Sequence, residues 1–231
     1  LGFKQMKQVR FIFKPADKDF LMLFRRAIPI LFSASIVQIN VIVLNYFIKS
    51  FGDGYVYYYG NASTIWQLPY TIFVVAITTV MTPELAGDYE SKNYSKASDL
   101  VSNSMRSALF MTIPSAVFIA VMSVDVVKAI YQWSGSYTDS NAQIAGTFLL
   151  GFSIAIISAT VVHVFNQAFY AIGKTRIPMI AGVVGLVTCP LSCIILMKLG
   201  VGYISASLAY SAANIFQLIL LAIAYCKNKE L

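Results

Sequence analysis

Six stretches without a single Asp, Glu, Lys or Arg run through the chain, at residues 27 to 48, 54 to 83, 107 to 124, 140 to 173, 177 to 197 and 199 to 226. Each is long enough to cross a hydrocarbon layer about 30 Å thick as a helix, which takes around 20 residues. Lipid has no group to satisfy an unpaired backbone amide, so spanning segments fold as helices or as closed barrels. None of the runs alternates apolar and polar residues in ten-residue units, as a barrel strand does. The pattern predicts an all-α integral membrane protein with six transmembrane helices.

Breakers and caps set the expected boundaries. Helix one is expected from Ala27 to about Ile48, with Pro29 in a first turn where its missing amide is harmless. Helix two, from about Tyr57 to Pro83, carries Pro69 near its middle and is expected to kink there. The polar stretch from Glu84 to Arg106 predicts a separate amphipathic helix at the cytoplasmic surface. Helix three, Ser107 to Val124, is followed by an expected short surface helix ending at Gly135, with Trp133 and Tyr137 at the outer interface. Helix four, about Ala142 to Ile172, is longer than a membrane requires. Helices five and six are expected at 177 to 197 and about 203 to 226, with Pro190 bending the former. The domain plan is then a basic connector or interfacial helix over 1–26, a six-helix transmembrane lobe over 27–226, and a cytoplasmic end at 227–231. The chain begins at Leu1 without a signal-peptide pattern, and is expected to be a piece of a longer protein.

Composition agrees with this plan: 58% of residues are hydrophobic and only 12% charged, against roughly one quarter charged in soluble domains. Placement of the cations then orients the helices, because Lys and Arg flanking short loops stay cytoplasmic. With Leu1 inside, only Lys49, Lys128 and Lys198 of the 17 Lys and Arg fall outside. The net charge of +7 is read as an orientation signal and an affinity for anionic lipid, with no nucleic-acid site. Cys189, Cys193 and Cys226 all lie in apolar helices without a nearby His or carboxylate, so neither a metal site nor a disulfide framework is expected. No cofactor is implied.

The most suggestive short motif is Gly173-Lys174-Thr175 within "FNQAFYAIGKTRIPMI". A phosphate-binding loop needs an earlier Gly at position 168 and a preceding strand. Ala168 stands there, inside a helix. Gly173 is read instead as a helix C-cap and Pro178 as the start of the next helix, with Lys174 and Arg176 holding the turn inside.

Within the helices no charge falls at depth, so carboxylate-pair, triad and metal chemistries have no candidate set and an enzyme is disfavoured. Uncharged polar groups remain: Gln38, Asn40 and Asn45 on helix one, Asn61, Ser63, Thr64 and Gln67 on helix two, and His163, Asn166 and Gln167 on helix four. Asn214 and Gln217 add a further pair on helix six. Such groups avoid lipid and turn toward a partner helix or a water-filled cavity. Their grouping makes Gln38, Asn40, Asn45, Asn61, Ser63, Thr64, Gln67, His163 and Asn166 the candidate cavity wall, with interhelical hydrogen bonds as the alternative for each. His163 is expected near the bilayer midplane, as packed imidazole or cavity wall. The "YVYYY" run at 55–59 is read as an outer interfacial belt. "RRAIPI" and "TRIPMI", opening helices one and five, form a faint internal repeat of the kind transporters carry.

Three segments bear a resemblance in order and spacing: "QLPYTIFVVAITTVMTPELA" (67–86), "IPSAVFIAVMSVDVVKAIYQWSGSYTDSNA" (113–142) and "FNQAFYAIGKTRIP" (165–178). Together they resemble the MurJ (MviN) lipid II flippases of the multidrug/oligosaccharidyl-lipid/polysaccharide exporter superfamily. The resemblance implies most of one lobe of a two-lobed flippase, at the start of the second lobe, with helices one to six here matching helices seven to twelve of fourteen. It implies a multi-pass protein of the bacterial plasma membrane that turns an undecaprenyl-pyrophosphate-linked cell-wall precursor to the outer leaflet by alternating access. The implied partners are that precursor, membrane lipids and the missing first lobe. The family commonly carries Asp-Arg four to six residues before the Leu-Pro of this helix, where this chain has Ser63 and Thr64. Sodium-using members also carry an acid in the first helix of this lobe, where the nearest matches are Leu44 and Asn45. Neither anion nor cation binding carries over at those positions. Two other functions stay open: export of another polyprenyl-linked glycan or a small cation, and a non-transporting membrane scaffold for cell-wall enzymes.

Overall fold

A computed structural model describes Ile28, residues 38–133 and residues 137–228. The expected connector at 1–26, most of the first half of helix one, the surface-helix end at Gly135 and residues 229–231 lie outside the described residues. Among the described residues all regular structure is helical: α1 over 38–49, α2 Asp53–Glu90, α3 Tyr94–Val121, α4 Ser123–Tyr131, α5 Asp139–Ala171, α6 Arg176–Lys198 and α7 Ser205–Lys227. Five of these, α2, α3, α5, α6 and α7, are long and apolar enough to cross a membrane. The sixth expected span is represented by α1, its described part.

The centre of the bundle is α5, with 67% of its most apolar window buried. It packs against α2, α3, α4 and α7, while α6 lies chiefly on α7. Helices in lipid gain little from hiding apolar surface from one another, so close backbone approach and interhelical hydrogen bonds hold them. The buried face of α5 accordingly carries many small residues, Ala142, Ala145, Gly146, Gly151, Ala155, Ser158 and Ala159, interleaved with Phe148, Leu149, Phe152, Ile156 and Phe169. At Gly151 the approach is close enough that a Cβ there would clash with Ser207 Oγ of α7. Ser211 Oγ donates to the Gly151 carbonyl at 2.7 Å across the same contact.

The polar stretch 84–106 does not form a separate helix. Its first part completes α2 and its second part opens α3, because a single reversal at 91–93 joins them. Lys92 adopts a left-handed conformation (φ 57°), with Lys92 N–H donating to Tyr89 O and Asn93 N–H to Asp88 O. That bond pair is a Schellman cap. Asn93 then caps α3 by accepting from Lys96 N–H, and the Lys96 ammonium reaches Asp88 at 3.0 Å. Gly173 closes α5 in the same way, at φ 74° with Lys174 N–H on Phe169 O. The Gly-Lys-Thr turn is therefore a helix end, as expected.

Nor is the tyrosine run simply an interfacial belt. Tyr57 is exposed, but Tyr59 is buried against Phe148 and Phe152 of α5, and Tyr55 and Tyr58 pack on Tyr203 and Tyr137. A helix turns 100° per residue, so consecutive tyrosines cannot share one environment.

Replacing Gly151 with Leu should force α5 and α7 apart and destabilise the bundle by about 1–3 kcal/mol. The thermal unfolding midpoint of the purified protein in detergent should fall, whereas Gly87→Ala, with open space around its Cβ position, should leave it in place.

Candidate functional site

α2 is interrupted at its middle. Pro69 has no N–H to donate, and after it residues Tyr70–Val75 form a π-helical turn before the α-helix resumes at Ala76. At and beyond its end, Thr78 Oγ1 donates to Val74 O at 2.9 Å, Thr79 Oγ1 to Val75 O at 2.7 Å and Thr82 Oγ1 to Thr78 O at 2.7 Å. These bonds satisfy the hydroxyls within the helix, as lipid, without water, requires. The expected kink thus takes the form of a π turn.

His163 of α5 spans that turn, from Tyr70 at its start to Thr78, three residues beyond its end. Its Nδ1 lies 2.7 Å from the Tyr70 hydroxyl and its Nε2 lies 3.2 Å from Thr78 Oγ1. The Thr78 hydroxyl proton is already directed at Val74 O, so Thr78 accepts from Nε2–H and Nδ1 accepts from the Tyr70 O–H. The arrangement selects a neutral imidazole with its proton on Nε2. It makes His163 both a packed group and a cavity wall, joining the two sequence readings.

Beside this clamp lies a cavity of about 850 Å³. Gln38, Asn40 and Asn45 of α1, Ser63 and Gln67 of α2, and His163 and Asn166 of α5 line it. Asn61 and Thr64 do not. Asn61 is buried on another face of α2, its Nδ2 donating to the Tyr137 hydroxyl at 3.5 Å, and Thr64 is exposed with its hydroxyl on the Gly60 carbonyl at 3.1 Å. The cavity-facing positions of α2 are 56, 59, 60, 63, 66, 67 and 70, one helical stripe that 61 and 64 miss by about 100°. Burial pushes the Tyr137 phenol above its ordinary range, against the smaller opposing effect of the Asn61 bond.

The wall also holds residues that were not counted in it. Gln167 and Tyr170 of α5, Pro178 and Gly182 of α6, and Tyr210, Asn214 and Gln217 of α7 all line the cavity. Four aromatics complete it, Tyr59, Trp66, Tyr70 and Phe152. Trp66 stacks on Phe152 with ring centres 5.6 Å apart and is flanked by Tyr70 and Tyr210. The available signal was the three- and four-residue spacing along α2, which joins Tyr59 and Trp66 to Ser63 and Tyr70. No Asp, Glu, Lys or Arg lies among the lining residues, and no cluster of metal-ligating side chains occurs among the described residues.

Membrane-length helices around a cavity that is polar but uncharged among the described residues define a class, the multi-pass helical membrane bundle. The comparisons narrow it. The family model described as lipid II flippase MurJ matches residues 1–231, and the chain belongs to that family. It is 30% identical over 167 residues to the probable lipid II flippase MurJ of Rhizobium tropici, covering 72% of this chain and 30% of that protein. With the lipid II flippase MurJ of Thermosipho africanus it shares 28% over 155 residues, 67% of this chain and 31% of that one. Among solved structures, lipid II flippase MurJ in an inward closed conformation superposes with a TM-score of 0.79 at 24% identity, over 97% of this chain and 47% of that one. A MATE structure in a bent conformation gives 0.62 at 14% identity, over 86% and 43%. The chain therefore spans about a third of the length of these curated relatives and about half of the solved flippase. Family and helices together make it a multi-pass protein of the inner membrane.

Replacing His163 by Leu should remove both clamp bonds and strand the Tyr70 hydroxyl, at a cost of about 1–3 kcal/mol. Hydrogen exchange of the amides at 74–79 should quicken while the ends of α2 keep their protection. Unchanged exchange there would show that the clamp does not hold the π turn.

Proposed function

We propose that this chain is the front part of the second lobe of a lipid II flippase, which moves an undecaprenyl-pyrophosphate-linked peptidoglycan precursor to the outer leaflet by alternating access. The observation that carries the reading is the polar, charge-free cavity enclosed by α1, α2, α5, α6 and α7, in a chain matched by the MurJ family model along its whole length. In this reading Gln38, Asn40, Asn45, Ser63, Gln67, His163 and Asn166 face the headgroup. A first lobe of the same protein supplies the opposite wall, and membrane lipid surrounds both. Transport of this kind needs no covalent step on the substrate.

The direct test is depletion of the protein in cells that hold no redundant flippase, with the precursor measured on the outer leaflet. Flipping should fall several-fold. A normal rate would remove the assignment.

One observation favours a second cargo. Where the family commonly has Asp-Arg, this wall presents Ser63, and Thr64 turns away from it. Another polyprenyl-linked glycan fits a wall without cations equally well. Reconstituted vesicles given both cargoes should move the peptidoglycan precursor faster; preferential movement of the other glycan would establish the rival.

The orientation is part of the proposal. With the start of the chain cytoplasmic, the α2–α3 reversal and the α5–α6 turn share one side. Single cysteines placed at Ser91 and Thr175 should both be labelled from the cytoplasmic side by an impermeant reagent, and labelling from opposite sides would overturn the topology.

A further inference from the structure

His163 is half-buried beside a break in α2, and among the described residues it is the side chain of this region whose charge changes near neutral pH. An imidazole in ordinary surroundings titrates between about pH 5 and 8, whereas a phenol does not. The groups around it are all uncharged. From α2 it meets the Tyr70 phenol and the Thr78 hydroxyl, and Tyr59 of α2, Tyr170 of α5 and Tyr210 of α7 are the other phenols around the same space. α1 and α6 present no titratable side chain there. α3 turns Val101, Ser104, Ala108 and Thr112 inward, and α4 meets α5 at Gly146, about 25 Å along the helix from the ring.

With the ring neutral, every proton of this cluster has an acceptor. Nδ1 takes the Tyr70 O–H, Thr78 Oγ1 takes Nε2–H, and Val74 O takes the Thr78 hydroxyl proton. A proton added at Nδ1 turns that acceptor into a donor. The Tyr70 oxygen then accepts only by swinging its own proton away, so four protons share three acceptors. A cation also stands against a wall that holds no carboxylate. Both costs are relieved where the ring leaves Tyr70 and is hydrated. What it leaves is the stretch where α2 is least regular, since Pro69 gives no N–H and the π turn over Tyr70–Val75 follows directly.

We infer that His163 is a pH-sensitive latch on the bend of α2: the neutral ring holds the irregular stretch against α5 through Tyr70 and Thr78, and a proton added to the ring releases it. The direction follows from the proton count. The latch is closed while the imidazole is neutral and opens as pH falls through the imidazole range. This inference goes beyond the flippase reading and does not rest on it, because the latch is a property of two helices and needs no cargo.

The test uses the full-length protein in lipid nanodiscs, with its native cysteines replaced and nitroxide labels on Val80→Cys beyond the bend of α2 and Ile154→Cys on α5. Both positions are exposed, at 68% and 49%, so the labels leave the packing intact. The distance distribution between them is read by pulsed electron spin resonance from about pH 8 to about pH 5. A second, displaced population should grow on acidification, its ratio to the latched one changing by up to about tenfold per pH unit, as one proton allows. His163→Gln keeps one acceptor and one donor without a titration, and should stay latched across the range. His163→Leu has neither and should show the displaced population throughout. A wild-type distribution that does not change with pH, or a His163→Gln variant that answers acid as the wild type does, overturns the inference. Neither result touches the flippase reading, since no cargo is present.

Discussion

A membrane interior offers no water to a loosened carbonyl, and that constraint governs the middle of α2. Pro69 withholds one backbone donor, and the π turn at Tyr70–Val75 displaces others from the regular ladder. Such a turn persists in lipid only where side chains restore the missing partners. Thr78, Thr79 and Thr82 hydrogen-bond to carbonyls at and beyond its end from within the helix. From outside, His163 contacts the side chains of Tyr70, at the start of the irregular segment, and Thr78, three residues past its end. The irregularity follows directly on Pro69 and lies against α5, the helix most buried among its neighbours.

The same constraint shapes the cavity. A charged residue at mid-membrane is costly, and the lining residues contain none. Amide side chains and tyrosines are less expensive to bury and still supply hydrogen bonds along the wall. The aromatic stack of Trp66, Phe152 and Tyr210 gives those polar groups a stiff backing. A wall built this way offers hydrogen bonds and shape, with no charge among the described lining residues.

Much of this architecture was legible in the residue pattern, because charge-free runs and caps are local. The spans α2, α3, α5, α6 and α7, the Gly173 cap and the role of Pro178 near the start of α6 follow from that pattern. The stretch from Glu84 to Arg106 misled because its polarity matched a surface helix; what forms instead depends on Lys92 adopting a left-handed conformation, which non-glycine residues seldom do. The tyrosine run misled because its partners, Phe148, Phe152 and Tyr203, lie far away in sequence. Within the candidate site, polarity selected the right helices but could not resolve faces. Asn61 and Thr64 are as polar as Ser63 and Gln67, yet a third of a turn separates a cavity wall from a contact with Tyr137.

His163 belongs at once to the irregular turn and to the cavity, and this joins the fold to its use. Its ring nitrogens lie within hydrogen-bonding distance of Tyr70 and Thr78, and the same imidazole lines the space beside Asn166 and Gln167. A ligand shifts a conformational equilibrium only through differential contact with its states; in this fold the side chain that touches the irregular stretch of α2 is also a side chain of the cavity wall, so the two features share one contact.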